Sequence, residues 1–301
     1  MIIIAYPTLV TIATIVGPAV NLGTGPPVHL VPPDLARLSP KVEHVSSDIR
    51  QGRQVSICRL AERPFVYILR GFLSSDECQH LMKRASAEVW EYAETVGNIE
   101  DSTAWRHGCD VAYLRSPDDD ILRAITYAAA KSIFSEEAWS RREELGSETE
   151  VLQVLRYKPG GEYKVHWDAC WVEPRVATIL YYLNGQGETW FPLACNPSRQ
   201  PALPKPTTHH EAYERSFKSD PVTDGVRVQP REGDAIVFYN FDETADLDVY
   251  ALHAGLPASS TKVIASQFFT ARNAQAAQQK GWWSSEATDA VPEPDHVLRP
   301  I

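Results

Sequence analysis

Leu152-Gln153-Val154-Leu155-Arg156-Tyr157, then Pro159-Gly160-Gly161, then Lys164-Val165-His166-Trp167-Asp168: with this stretch the chain changes from helical to extended patterning. Residues 150–157 alternate as a half-buried strand does, and 175–183, 226–228, 235–239 and 262–270 read the same way. Turn residues punctuate them, among them Pro159-Gly160-Gly161 and Asn184-Gly185, the latter a hairpin signal. Upstream, residues 64–69 suggest an earlier strand. Ser74 and Glu77 form a capping box opening a helix with Cys78, Leu81, Met82, Ala85 and Val89 on one face. A second helix is signalled by Ser116 as cap, Pro117 at its first position and Asp118 to Asp120 near its positive end. Its stripe is Ile121, Leu122, Ile125, Ala128, Ala129 and Ile133. Helices followed by a run of strands indicate an α+β fold whose β-sandwich or barrel carries the site.

Around this core the chain divides into residues 1–54, an apolar segment and Pro-rich linker, a helical support region 55–149, a barrel 150–272, and a tail 273–301. Residues 1–21 carry no charge and approach the length of a membrane span, but Pro7, Pro18 and the lack of basic residues argue against a signal or anchor. A signal or anchor and a simple extended arm both stand, so the location stays open between a secretory membrane and the cytoplasm. Residues 23–40, with Pro26-Pro27 and Pro32-Pro33, read as a linker. Residues 196–225, dotted with proline, read as a surface insertion over the barrel mouth and a candidate lid. Trp282-Trp283 stand out in a tail without periodicity.

A formal charge of −10, from 29 basic and 39 acidic residues with no dense Lys/Arg stretch, argues against nucleic-acid binding. The cysteines Cys58, Cys78, Cys109, Cys170 and Cys195 never form C-x-x-C, so a zinc site is not indicated; free thiols are the default, with one or two disulfides open if the chain is secreted.

His166-Trp167-Asp168 is the chemical centre of the sequence. In extended backbone His166 and Asp168 point to one side and Trp167 to the other. One imidazole and one carboxylate are two-thirds of the facial triad of non-haem iron(II) oxygenases, which keeps three positions open. His253, in Leu252-His253-Ala254-Gly255 before a strand-like segment, is the best third ligand. The remaining histidines read as surface or satisfied buried groups; His209-His210 are neighbours that would diverge on a strand and sit in the insertion.

H-x-D is short and recurs by accident, so its weight comes from context. Leu152 to Tyr157, Gly160-Gly161, Tyr163 and His166-x-Asp168 resemble the prolyl 4-hydroxylase branch of the Fe(II)/2-oxoglutarate-dependent dioxygenases. So do Arg175-x-Ala177-Thr178, Leu180-x-Tyr182-Leu183-Asn184, Gly187-Glu188-Thr189, Phe191-Pro192, Gly233-Asp234-Ala235, Leu252-His253-Ala254-Gly255 and Lys262. Upstream, Phe72-Leu73, Glu77-Cys78, Ser102 and Arg106 also match. The resemblance implies a double-stranded β-helix, or jelly roll, buttressed by N-terminal helices. It implies Fe(II) on the catalytic residues His166, Asp168 and His253, with 2-oxoglutarate and O2 as co-substrates and ascorbate as reductant. Lys262 would bind the distal carboxylate of 2-oxoglutarate, with Tyr157 donating to it and Thr189 assisting, while Tyr163 and Arg175 would meet the substrate. The implied reaction hydroxylates an unactivated C–H bond with release of succinate and CO2.

Four departures bear on the substrate: Val263 in place of a tryptophan, with Phe268 as the later aromatic; a short turn between Leu183 and Gly187; a His253–Lys262 spacing one residue tighter; and the 196–225 insertion. Peptidyl proline is the leading substrate reading. The alternatives are a tailoring oxygenase for a small metabolite or free amino acid, and a non-catalytic jelly-roll binding module.

Overall fold

The computed structural model describes residues 43–50, 52–61, 63–93, 105–115, 119–135, 147–169, 175–194, 204–242 and 247–271. The N-terminal apolar segment, the linker, Ser102, Ser116, Pro117, Asp118, Cys170, Cys195, residues 196–203 and the tail lie outside them. Among the described residues no helix is long and apolar enough to cross a membrane.

Eight strand segments are divided equally between two sheets that face each other. The larger sheet has the order β11 (Ala235–Tyr239), β8 (Arg175–Tyr182), β13 (Lys262–Ala271) and the first half of β7 (Leu152–His166). The smaller has the second half of β7, β12 (His253–Gly255), β9 (Thr189–Phe191) and β10 (Val226–Val228). All pairings are antiparallel. Two four-stranded sheets wound by one chain that crosses between them make a double-stranded β-helix, the jelly roll expected. On the large sheet β3 (Val66–Arg70), β2 (Arg53–Ala61) and β1 (Glu43–Arg50) extend beyond β11, and β6 (Ser147–Thr149) pairs with β13. On the other side β5 (Arg106–Leu114) pairs with β7 from Leu152 to Tyr163, with β4 (Glu91–Tyr92) outside it.

Side-chain parity sorts the core. Ala177, Ile179 and Tyr181 of β8, and Ala235, Val237 and Tyr239 of β11, face α1 (Ser75–Ser86) and α2 (Asp120–Ile133). Leu180, Tyr182, Ile236 and Phe238 point between the sheets, where they meet Phe191, Val226 and Val228. The third apolar cluster lies on the outer face of the small sheet. There Val165, Trp190 and Ala254 are covered by Ala212 and Tyr213 of α3 (His209–Lys218).

Several expectations need correction. Among the described residues strands begin at Glu43, and 55–149 is a mixed region holding β2 to β6 as well as helices. The α2 cap is Asp119, which accepts from Leu122 N; Ser116 lies upstream of the start. Val89 lies beyond the end of α1 and Ile121 is partly exposed. Pro159-Gly160-Gly161 does not end a strand, because β5 hydrogen-bonds to β7 on both sides of it. Asn184-Gly185 does not close a hairpin: β8 and β9 lie in different sheets, and the turn carries the chain across. Asn184 holds that crossing by accepting from Val263 N at 3.0 Å and donating to Thr261 O at 2.8 Å. The insertion contains a helix, and that helix backs the small sheet from outside instead of lying over the mouth. Cys58, Cys78 and Cys109 are free thiols.

The capping box is observed, and Glu77 does more than cap. Its carboxylate accepts from Ser74 N and pairs with both Arg50 and Arg53, tying α1 to β1 and β2. Burial opposes its charge, but the bonds from Arg53 and Ser74 N and the charge of Arg50 hold the carboxyl below its ordinary range. Glu77→Ala leaves the buried Arg50 guanidinium without its counter-ion and is expected to cost about 3 kcal/mol in urea unfolding. A lowered folded-state value means this stabilisation is present above about pH 4 and fades as pH falls. The deficit of the variant should therefore narrow in acid.

Candidate metal centre

His166 ends β7, Asp168 follows two residues later and His253 opens β12 directly opposite, since His253 and His166 are register partners. One ligand atom from each lies within 4.8 Å of the others. His166 Nε2 is 3.5 Å from Asp168 Oδ1, and His253 Nε2 is 3.6 Å from Asp168 Oδ2. Each imidazole donates its Nδ1–H to a backbone carbonyl, His166 to Lys164 O at 2.7 Å and His253 to Ala251 O at 3.0 Å. That choice of tautomer turns both Nε2 lone pairs toward the carboxylate, where a metal would sit.

Burial, with His253 beside it, pushes the His166 imidazole down to about 4, so it is neutral and ligand-ready near neutrality. Burial alone would raise the Asp168 carboxyl, but His253, His166 and Arg175 hold it well below the usual carboxylate range. Two imidazole nitrogens, that of His166 on a neutral ring, and one ionised carboxylate fit iron(II) with positions to spare.

Trp167 faces away, as the alternation requires. Its ring packs on Tyr213 and His209, and its Nε1–H donates to Asp248 O at 3.1 Å. His209 and His210 are therefore helical residues on the outside of the small sheet, apart from the metal centre. His253 is packed between Phe238 and Phe191, with ring centroids at 4.7 and 5.5 Å.

Further into the barrel lies Lys262, 2% exposed and paired in register with Tyr157. Its ammonium carries three N–H donors, yet its hydrogen bond to protein is a single long one of 3.5 Å to Glu188 O, with Tyr157's ring 5.1 Å away. Burial brings the amine down to about 8. A buried cation this poorly matched is stabilised by an anion, and the distal carboxylate of 2-oxoglutarate suits it. Gly187 makes room for the lysine stem: a Cβ there would lie 2.3 Å from Lys262 Cδ. Thr189 Oγ1, on the small sheet, accepts from Tyr182 O–H of the large sheet at 2.8 Å across the barrel interior. Val263, by contrast, packs toward the helices, so the departure at this position does not face the barrel interior.

Tyr163 stacks on His166 with centroids 3.4 Å apart, and the Arg106 guanidinium lies 3.7 Å from the Tyr163 ring centroid. Arg175 grips Glu150 through two bonds of 2.8 Å, donates to Asp168 O at 3.1 Å and rests on Phe268. Its observed partners brace the metal segment.

A family model described as the 2OG-Fe(II) oxygenase superfamily matches residues 152–270. Residues 152–270 belong to that superfamily. Among relatives, probable prolyl 4-hydroxylase 6 of Arabidopsis thaliana is 28% identical over 216 residues, 67% of this chain and 67% of that protein. Probable prolyl 4-hydroxylase 3 of the same plant is 30% identical over 212 residues, 66% of each chain. The match with probable prolyl 4-hydroxylase 7 covers 60% of that relative's length. Among solved structures, viral collagen prolyl hydroxylase from Paramecium Bursaria Chlorella virus-1, as its 2OG complex, aligns with a TM-score of 0.45 at 23% identity. It covers 70% of this chain and 98% of that one.

Sequence reasoning gave no role to Thr178 or Asn240, which lie behind Asp168 in this oxygenase. The usable signal was parity: Thr178 is a polar residue on the inward face of β8, in step with Leu180 and Tyr182.

Because the lysine must be charged to hold a carboxylate and its free amine sits near 8, 2-oxoglutarate binding should weaken as pH rises. The KM for 2-oxoglutarate is expected to be flat below pH 7 and to climb about tenfold per unit well above pH 8. Lys262→Arg, permanently charged, should lose that alkaline rise whatever its baseline. A wild-type KM that stays level to pH 10 would count against the assignment.

Proposed function

We propose that this dioxygenase hydroxylates peptidyl proline, using Fe(II) on His166, Asp168 and His253 and 2-oxoglutarate anchored by Lys262. The observation that carries the reading is the pairing of a three-ligand cluster with a buried, anion-seeking lysine inside one jelly roll. The curated relatives named prolyl 4-hydroxylases support the proline part of it. When bound, iron and 2-oxoglutarate supply the O2-dependent oxidation, releasing succinate and CO2, with ascorbate as the proposed reductant.

The chain's own residues bind, orient and exclude water. Lys262 neutralises the distal carboxylate, and Tyr157, opposite it in register, is positioned to donate to the same group. Phe191 and Phe238 keep the His253 side of the centre apolar. Tyr163, fixed between His166 and Arg106, forms a flat wall next to the metal ligands, a surface suited to the face of a pyrrolidine ring. A binding module would have no use for a converging His-Asp-His cluster and an unmatched buried ammonium, so the catalytic reading is preferred. Residues 1–21, read as either a signal or anchor or an extended arm, lie outside the described structure.

Succinate formed from 2-oxoglutarate with Fe(II), measured with and without proline-rich peptides, tests the proposal together with a search for a +16 Da peptide product. Peptide-stimulated turnover is expected. His166→Ala should abolish iron binding and activity, and Lys262→Ala should mainly raise the 2-oxoglutarate requirement. Turnover stimulated by small metabolites but by no peptide would overturn the proline reading and leave the reaction class standing.

A further inference from the structure

Asp168 has two oxygens but the metal centre needs one of them. Thr178, fully buried on β8, donates its Oγ1–H to Asp168 Oδ2 at 2.8 Å. Its proton has no other direction to take, because Thr178 Oγ1 itself accepts from Asn240 Nδ2 at 3.2 Å. The second Nδ2 hydrogen of Asn240 goes to Arg175 O at 3.1 Å, so the amide nitrogen must face these two acceptors. The Asn240 backbone is locked as well, its N–H donating to Val176 O at 3.1 Å and its carbonyl accepting from Asp248 N at 2.9 Å. Asn240 is completely buried, with Oδ1 lacking a partner, a cost that marks the side chain as held for its nitrogen.

We propose that Thr178, oriented by Asn240, is a positioning residue that occupies Asp168 Oδ2 and so makes Asp168 a one-oxygen ligand through Oδ1. The inference rests on the metal-centre reading above and deepens it. A carboxylate chelating through both oxygens would take one of the three positions that a bidentate oxoacid and O2 require. The relay also couples the two ligand segments: Asn240 receives the N–H of Asp248, whose carbonyl accepts from Trp167, the residue between His166 and Asp168.

The test is Co(II) titrated into the full chain with 2-oxoglutarate, followed by calorimetry and by the visible absorption of the bound ion. Thr178→Val keeps the shape and removes the hydroxyl; it is expected to raise the Co(II) Kd about 10- to 100-fold and to alter the visible bands. Thr178→Ser restores the donor and should stay within about threefold of wild type with wild-type bands. Thr178→Ala makes the same comparison without valine's added methyl. Wild-type affinity and bands in both hydroxyl-free variants would overturn the proposal, and so would a serine variant as weak as they are. A wild-type chain that binds no Co(II) would instead overturn the metal centre itself, which separates the two failures.

Discussion

One strand must serve two sheets. β7 pairs with β13 through residues 153–157 and with β12 at Tyr163 and His166, so it leaves one sheet and enters the other without a break. The transfer is possible because two backbones come almost into contact there. A Cβ on Gly161 would lie 3.0 Å from the carbonyl oxygens of Gly108, His107 and Lys158, closer than a side chain ordinarily sits. Any larger residue at this position would push β5 off β7 just where β7 turns toward the metal. His166 stands five residues past this bend and Tyr157 four before it, so the bend sets the distance between metal and co-substrate groups.

Around that bend the barrel interior is divided by charge. At one place the neutral His166 imidazole and the ring of His253 surround an ionised carboxylate, leaving a deficit of positive charge for a cation to fill. Further in, Lys262 is a cation without an adequate partner. A ligand that is anionic at its far end and chelates at its near end satisfies both deficits at once, and neither is satisfied by the protein alone. Phe191, Phe238, Ile236 and Ile264 surround these groups with apolar side chains, which strengthens each electrostatic preference.

The metal centre was legible because its signal is local: H-x-D depends only on extended backbone, and His253 follows from its flanking residues. Fold class was legible from the strand periodicity and the Ser74–Glu77 box. What was not legible depends on which strand pairs with which. Asn184-Gly185 has hairpin chemistry yet serves a sheet-to-sheet crossing, and Pro159-Gly160-Gly161 has turn chemistry yet sits inside a strand, because β5 supplies hydrogen bonds across the bend. β5 itself, with Gly108 in its middle and polar residues at several positions, carries too weak an alternation to be read alone. His209-His210 looked like loop residues because the helix they open is short and mostly polar. Its buried face is little more than Ala212, Tyr213 and Ser216.

That short helix explains how a small sheet can hold a metal site steady. β9, β10 and β12 are three residues each, too short to be rigid through their own hydrogen bonds. α3 compensates from outside: Tyr213 donates its hydroxyl to Val165 O at 3.0 Å, fixing the residue before His166. Trp167, packed on Tyr213, then reaches Asp248 O in the segment leading to His253. The two ligand-bearing segments are thus tied together twice, once across the metal by β7–β12 pairing and once behind it through Trp167. The insertion between β9 and β10, which reads in sequence as a cover for the substrate mouth, contributes through α3 to the stiffness of the ligand set.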